Sequence, residues 1–360
     1  MGQPLYRRIA VKIGSNVLTR RDGTLDITRM SALVDQVSEL HRQGIRVILI
    51  SSGAVASGRS ELHLPQQLDS VSARQLYSAV GQAKLINRYY ELFRDHGIAC
   101  GQVLTTKENF STRRHYLNQK HCMEVMLDNG VIPIVNENDT VSVTELMFTD
   151  NDELSGLIAS MMNMQALIIL SNIDGVYDGD PSLPGTRLIT EIREAADAAD
   201  FITESRSSLG RGGMATKYRI ATKVASEGIA VIIANGKRTE ILTDLMSGAD
   251  VPHTLFLPAD REASGVRKWI AHSEGFSKGI IYVNQGAADA ITASTRASLL
   301  PVGVVRIEGS FEDGDIVSVV GPAGKVIAWG RIGYDSAEAV ATIGERDAKP
   351  LIHSDYLYID

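Results

Sequence analysis

A chain of 360 residues, 44% of them hydrophobic, can bury a large core, and at ~100–200 residues per domain it predicts two domains. The formal charge of −7 gives no sign of a polyanion partner, although it leaves nucleotides open, because helix N-termini and one or two lysines suffice to hold a phosphate. Cys100 and Cys122 are the only cysteines, and the eight histidines lack metal-ligand spacing, which excludes a disulfide framework and a zinc site and points to a reducing compartment. The opening stretch MGQPLYRRIAVKIG holds no apolar run long enough for a signal or a membrane span, so the expected location is cytoplasmic.

In chain order, residues 9–13 read as a strand ending in Gly14-Ser15-Asn16. A helix is predicted over 27–43, with Leu33, Val37 and Leu40 on one face and Gly44 beyond its end. Residues 47–50 form a second strand, which runs into Ser51-Ser52-Gly53-Ala54 and then helix. A long helix over 72–96, a strand over 98–104, a helix over 113–128 and a strand over 131–135 follow. Residues 166–170 read as a strand ending in Ser171-Asn172. After a loop rich in Gly, Asp and Pro, residues 214–227 read as helix and 229–234 as strand. Successive βα units imply an α/β fold with a mainly parallel open sheet sandwiched by helices.

From residue 278 the pattern changes to short β-rich runs, 280–283, 304–308, 316–320 and 326–332, punctuated by glycines. They predict a small, partly closed barrel. The expected division is residues 1–260, a junction over 261–277 containing a helix over 261–272, and residues 278–360. The terminal stretch 276–360 carries seven Lys or Arg against eleven Asp or Glu, which argues against phosphate-backbone binding.

The strand at 131–135 ends abruptly in Asn136, Glu137, Asn138 and Asp139, and a second cluster, Asp150, Asn151, Asp152 and Glu153, opens the helical pattern of Leu154, Leu157, Ile158 and Met161. Either cluster alone reads first as an Asx-rich turn with a helix cap. Two of them flanking one loop, at the strand ends where open α/β sheets bind ligands, point to a site. Lys12 projects to the same rim; by itself it reads as a solvated lysine or as a cation for an anionic ligand. The run Gly210-Arg211-Gly212-Gly213-Met214-Ala215-Thr216-Lys217 reads as a plain glycine-rich loop or as a phosphate-binding helix start. No Walker-type run and no dinucleotide fingerprint occurs. Two lysines, a glycine-rich helix start and a group of carboxylates able to hold Mg²⁺ are together the parts that phosphoryl transfer needs.

Those motifs, Val11-Lys12-Ile13-Gly14-Ser15-Asn16-Val17-Leu18, Ser51-Ser52-Gly53-Ala54, Val80-Gly81-Gln82, Asn136 through Asp139, Asp150-Asn151-Asp152 and Gly212 through Lys217, resemble the motif series of the bacterial glutamate 5-kinases, a branch of the amino acid kinase family whose longer members end in a PUA domain. Ser298 through Gly303 and the runs after it resemble that terminal domain. The resemblance implies ATP-dependent phosphorylation of the γ-carboxylate of L-glutamate, the first step toward proline, with proline as inhibitor. It places Lys12 and Lys217 beside the transferred phosphoryl group and gives Asp152 the task of orienting them. It places glutamate on Ser52, Asp139 and Asn151, with Gly53 and Asn136 close by. The nucleotide falls on Lys12, Ser171, Asn172, Arg211, Gly212, Gly213, Met214, Ala215, Thr216 and Lys217, and Asp150 becomes the Mg²⁺ or water partner.

The resemblance also implies a homo-oligomer, dimer or tetramer, and glutamyl phosphate reductase as the next enzyme in line. Three residues depart from the family pattern: Ser171-Asn172 stands where relatives carry Thr-Asp, and Arg211 replaces a small hydroxyl residue. An acetylglutamate or uridylate kinase, and an RNA-binding PUA protein, are the alternative readings.

Overall fold

Ile9, Ala10, Val11 and Ile13 are buried on both faces of strand β1 (Arg8–Ile13), as expected of a central strand covered by helices above and below. The structure is a computed structural model that describes residues 4–62, 68–141, 150–193, 213–260, 265–272, 277–293 and 297–359. After β1 come α1 (Ser15–Leu18), α2 (Ile27–Arg42), β2 (Arg46–Ser51), α3 (Ala54–Glu61), α4 (Ser70–Asp95), β3 (Cys100–Thr105), α5 (Arg113–Asp128) and β4 (Ile132–Glu137). The chain continues with α6 (Asn151–Met161), β5 (Ala166–Ser171), three two-residue strands β6 (Val176–Tyr177), β7 (Leu188–Ile189) and β8 (Glu191–Ile192), α7 (Met214–Ser226), β9 (Ala230–Asn235), α8 (Ile241–Ser247) and β10 (His253–Phe256).

Eight strands join in the order β3-β4-β2-β1-β5-β9-β10-β8. Six are mutually parallel, β10 runs antiparallel to β9, and β8 follows β10. The alternating βα pattern therefore reads correctly as mainly parallel, while the reversed edge pair was missed because its strands are only four and two residues long. Register puts the carboxyl ends side by side: Ile13 pairs with Ser51 on one flank and with Leu170 on the other. Residues that end β1, β2, β4 and β5 thus share one rim. Strand β4 also runs two residues past its apolar stretch, since Asn136 and Glu137 pair with Leu104 and Thr105 of β3. Their side chains are consequently held by the sheet rather than by a loop.

Helices α3 and α4 cross closely. A Cβ on Gly58 would lie 1.8 Å from the Tyr77 carbonyl oxygen, and one on Gly81 would lie 1.8 Å from that of Ala54. Only glycine permits this approach, and it seats α4 beside the turn at Gly53, whose φ of 106° is itself a glycine conformation. The Val80-Gly81-Gln82 motif is accounted for by that crossing.

The chain forms two compact units, residues 1–107 with 119–262, and residues 108–118 with 263–360. The second contains α9 (Gly265–Ala271), β11 (Gly279–Val283), α10 (Gln285–Ala293), β12 (Val304–Gly309), β13 (Ile316–Val320), β14 (Val326–Arg331), α11 (Ser336–Ala341) and β15 (Leu357–Ile359). Its strands join in the order β12-β11-β13-β14-β15 around Ile281, Val317, Val319, Ala328 and Leu357. Of the helix expected over 261–272, residues 265–271 are helical and 261–264 lie outside the described residues. In this unit the buried Trp269 donates Nε1–H to the Phe110 carbonyl at 2.9 Å.

Candidate active site

Lys12, the penultimate residue of β1, is 5% exposed, so it is not a solvated strand-edge lysine. Its Nζ lies 2.6 Å from Asp152 Oδ1, and Lys217 Nζ lies 3.0 Å from Asp152 Oδ2. Asp152 is 1% exposed and stands in the first turn of α6, while Lys217 stands in the first turn of α7. Three groups distant in sequence thus form one cluster in which a single carboxylate spans two ammonium groups. Burial strengthens both attractions and makes each partner dependent on the others. Two helix N-termini add partial positive charge, which suits an anionic ligand.

Asp150 caps α6, its Oδ1 accepting from the amides of Asp152 and Glu153 at 2.9 and 3.1 Å. Its other oxygen, Oδ2, is buried and has no hydrogen-bond partner among the described residues. Burial, reinforced by the neighbouring Asp152 charge, holds the Asp150 carboxyl above the usual carboxylate range, and Lys12 and Lys217 pull it partly back. Among the described residues no group of three or more His, Cys, Asp or Glu could enclose a metal ion. One lone carboxylate oxygen within the field of Lys12 and Lys217 nevertheless fits Mg²⁺, which keeps waters and is held by one or two carboxylates plus phosphate oxygens.

On the other side of Asp152, Asn151 donates its amide hydrogens to Ser52 Oγ at 3.0 Å and to Asn136 Oδ1 at 3.1 Å. Three expected substrate residues, from the turn after β2, the end of β4 and the start of α6, are therefore joined directly. Gly53 follows Ser52 as the N-cap of α3. Asp139 is 6% exposed and accepts from Arg74 Nε at 2.7 Å and from Ser78 Oγ at 3.4 Å. Burial raises its carboxyl above the usual range, against the opposing pull of Arg74.

On the expected nucleotide side, Ser171 is buried and its hydroxyl donates to Asn172 Oδ1 at 3.4 Å, while Asn172 is exposed. Gly213 is the N-cap of α7, followed by Met214, Ala215 and Thr216 in the first turn. Arg211 and Gly212 lie outside the described residues, as does 142–149 between the two acid-amide clusters. Asn172 also lines a cavity of about 440 Å³ with Asn16, Arg20, Arg21, Arg29 and Lys237.

Sequence reasoning passed over Arg74 and Ser78, and over the cations around that cavity. The signal on α4 was available: Arg74, Ser78 and Gln82 recur at i, i+4 and i+8, a polar stripe, and Ser78 and Gln82 are buried. The cavity left no comparable signal, because Arg20, Arg29 and Lys237 belong to three separate segments.

Residues 7–235 match the amino acid kinase family and residues 279–351 match the PUA domain. The glutamate 5-kinase of Bacteroides thetaiotaomicron is 64% identical over 356 residues, covering 99% of each chain. That of Chlorobaculum tepidum is 46% identical over 358 residues, covering 99% of this chain and 98% of its own. Among solved structures, carbamate kinase from Giardia lamblia bound to AMP-PNP aligns with a TM-score of 0.52 at 16% identity, over 71% of this chain and 99% of that one. The last likeness is one of fold alone. Identity of the former extent, sustained through both units, carries the assignment further: the chain belongs to the amino acid kinase family, in its glutamate 5-kinase branch with a C-terminal PUA domain.

Proposed function

We propose that this enzyme transfers the γ-phosphoryl group of ATP to the γ-carboxylate of L-glutamate, giving L-glutamyl 5-phosphate and ADP as the first step toward proline. The observation that carries the reading is the division of labour at one helix start. Asp150 presents a lone carboxylate oxygen, Asn151 turns to Ser52 and Asn136, and Asp152 holds Lys12 and Lys217. Acceptor, phosphoryl group and metal would then meet around three consecutive residues.

A γ-carboxylate is ionised far below neutral pH, so the attacking oxygen needs no general base. It forms the new bond to the γ-phosphorus as the bond to the β-bridging oxygen breaks and ADP leaves. The difficulty is repulsion between the carboxylate and the triphosphate, and Lys12 and Lys217 answer it with two positive charges fixed by Asp152. Mg²⁺, held by Asp150 and phosphate oxygens, would neutralise charge on the nucleotide. Ser171, Asn172 and the segment from Arg211 to Lys217 would hold the nucleotide, with Arg20, Arg21, Arg29 and Lys237 opposing phosphate charge from the adjoining cavity.

Asp139, with Ser52 and Asn151, would grip the amino acid. Proline shares the α-amino and α-carboxyl groups of glutamate but has no γ-carboxylate, so it should compete for the same site. Catalysis is assigned to residues 1–260, with 261–277 as junction and 278–360 as a structural or regulatory unit. A dimer or tetramer formed through the large unit is supported by α4, which exposes Leu76 and Tyr90. Cytoplasmic location and hand-over of product to glutamyl phosphate reductase complete the reading; among the described residues no helix is long and apolar enough to cross a membrane.

The test is ATP turnover with glutamate, acetylglutamate, aspartate and UMP side by side, trapping acyl phosphate with hydroxylamine. Only glutamate should give trapped product, and proline should inhibit less as glutamate rises. Equal or faster turnover of acetylglutamate or UMP refutes the substrate assignment.

Asp150→Asn separates the carboxylate's two tasks. An amide oxygen still caps α6, but the buried charge is gone. Because the folded state raises this carboxyl's pKa, its contribution to stability is present at low pH and is lost as pH rises through the folded value. At pH 7 the variant should therefore melt no lower than the parent, while kcat falls by ~10²-fold or more, the scale of a metal's electrostatic contribution. Melting curves and initial rates over a Mg²⁺ series check this. A lowered midpoint with unaltered kcat would reduce Asp150 to a cap.

A further inference from the structure

An α-amino acid carries an ammonium and a carboxylate on one carbon, so a site that selects it needs an anion and a cation side by side. Ser52, Asn151 and Asp139 supply hydrogen bonds and an anion, but no cation. Arg74 of α4 stands beside Asp139. Its Nε donates to Asp139 Oδ1 at 2.7 Å, and its Nη2 lies 2.6 Å from the same oxygen and 3.2 Å from Glu137 Oε2. Glu137 and Asp139 are 2% and 6% exposed, whereas the Arg74 side chain remains 32% exposed.

We propose that Arg74 binds the α-carboxylate of the substrate while Asp139 binds its α-ammonium, making Arg74 a specificity-determining residue for a free amino acid over an N-acylated or α-amidated one. The inference rests on the proposed glutamate reading. Two acids and one arginine sum to one negative charge, which an incoming ammonium neutralises. The substrate carboxylate then meets the guanidinium edge that faces away from the acids, for Arg offers five N–H donors and the acids engage those of Nε and Nη2. Ser78 and Gln82, one and two turns further along α4, bind Asp139 and the Glu137 carbonyl, so the same helix face that presents the cation fixes the anion. A site built around a polar pair with a buried acid discriminates against a ligand that leaves one member unpaired.

The experiment compares glutamate with its α-amide, which retains the γ-carboxylate and α-amino group but lacks the α-carboxylate. In the wild-type enzyme kcat/KM for glutamate should exceed that for the α-amide by ~10²-fold, the upper scale of a charge-assisted hydrogen bond. Arg74→Met should raise KM for glutamate by ~10²-fold, with a smaller loss in kcat. The same change should alter kcat/KM for the α-amide only several-fold, so that discrimination collapses. Arg74→Lys should restore about a tenth of the lost preference, since an ammonium keeps the charge but not the fork.

A merely structural arginine, neutralising Glu137 and Asp139, predicts equal losses for both substrates, and that result overturns the proposal. Should Arg74→Met fail to fold, wild type and Arg74→Lys decide: wild-type turnover of the α-amide as good as that of glutamate overturns it as well. If the wild type phosphorylates no glutamate under any condition, the functional reading falls and takes this inference with it, a result distinct from loss of α-amide discrimination alone.

Discussion

Lys217→Ala is expected to lower kcat by ~10²–10³ or more while changing the apparent affinity for ATP much less. Lys217 Nζ is held 3.0 Å from Asp152 Oδ2 in the first turn of α7, on a side chain 11% exposed. A charge so placed costs no reorganisation when negative charge shifts across the moving phosphoryl group, which is why its loss should fall on the chemical step. Burial shows that Lys217 is not a solvated surface lysine, since such a residue would be neither shielded nor paired with a carboxylate 1% exposed. Steady-state rates with glutamate and ATP varied independently provide the measurement. A variant with near-normal kcat would show that Lys217 shapes the pocket without acting on the transition state.

Asp152→Asn should have an effect as large, and of two kinds. With the carboxylate gone, Lys12 and Lys217 lose the anion that spans them at 2.6 and 3.0 Å, and two buried ammonium groups repel across the same space. Removing one partner of a buried ion pair costs ~3–5 kcal/mol. At the usual scaling for a unit of this size that lowers the melting temperature by about 10 °C. Both lysines would also lose their aim, so kcat should fall by ~10³-fold, and the double variant with Lys217→Ala should be little worse than either single one, as for groups acting as a unit. Thermal melts and a double-mutant cycle measure the two parts. Multiplicative losses in kcat would mean that Asp152 and Lys217 act separately and that the carboxylate has another task.

Much of the site was legible because its residues lie in short local runs. Asp150, Asn151 and Asp152 are consecutive, and an Asx residue before an apolar helical pattern announces a helix start. What each of the three faces was not legible. Asn151 points toward Ser52 and Asn136 because the start of α6 sits over the ends of β2 and β4, and Asp152 points toward Lys12 because β1 lies beside β2 in the middle of the sheet. The unpredicted extension of β4 through Asn136 and Glu137 has the same origin: pairing with β3 overrides the low strand propensity of those residues.

By itself the sequence determined the periodicities that make strands and helices, the mainly parallel sheet, the β-rich terminal unit, and the residue types that phosphoryl transfer requires. Those features depend on neighbours a few positions apart, which local sequence specifies. Tertiary structure alone decided the exclusion of water from Lys12, the joining of two lysines by one carboxylate, the orphaned Asp150 oxygen, and the arrival of Arg74 beside Asp139. Each depends on the distance between groups tens to hundreds of residues apart. The packing of α3 and α4 through Gly58 and Gly81, the register of β1 against its two neighbours, and the packing of α6 against α7 set those distances.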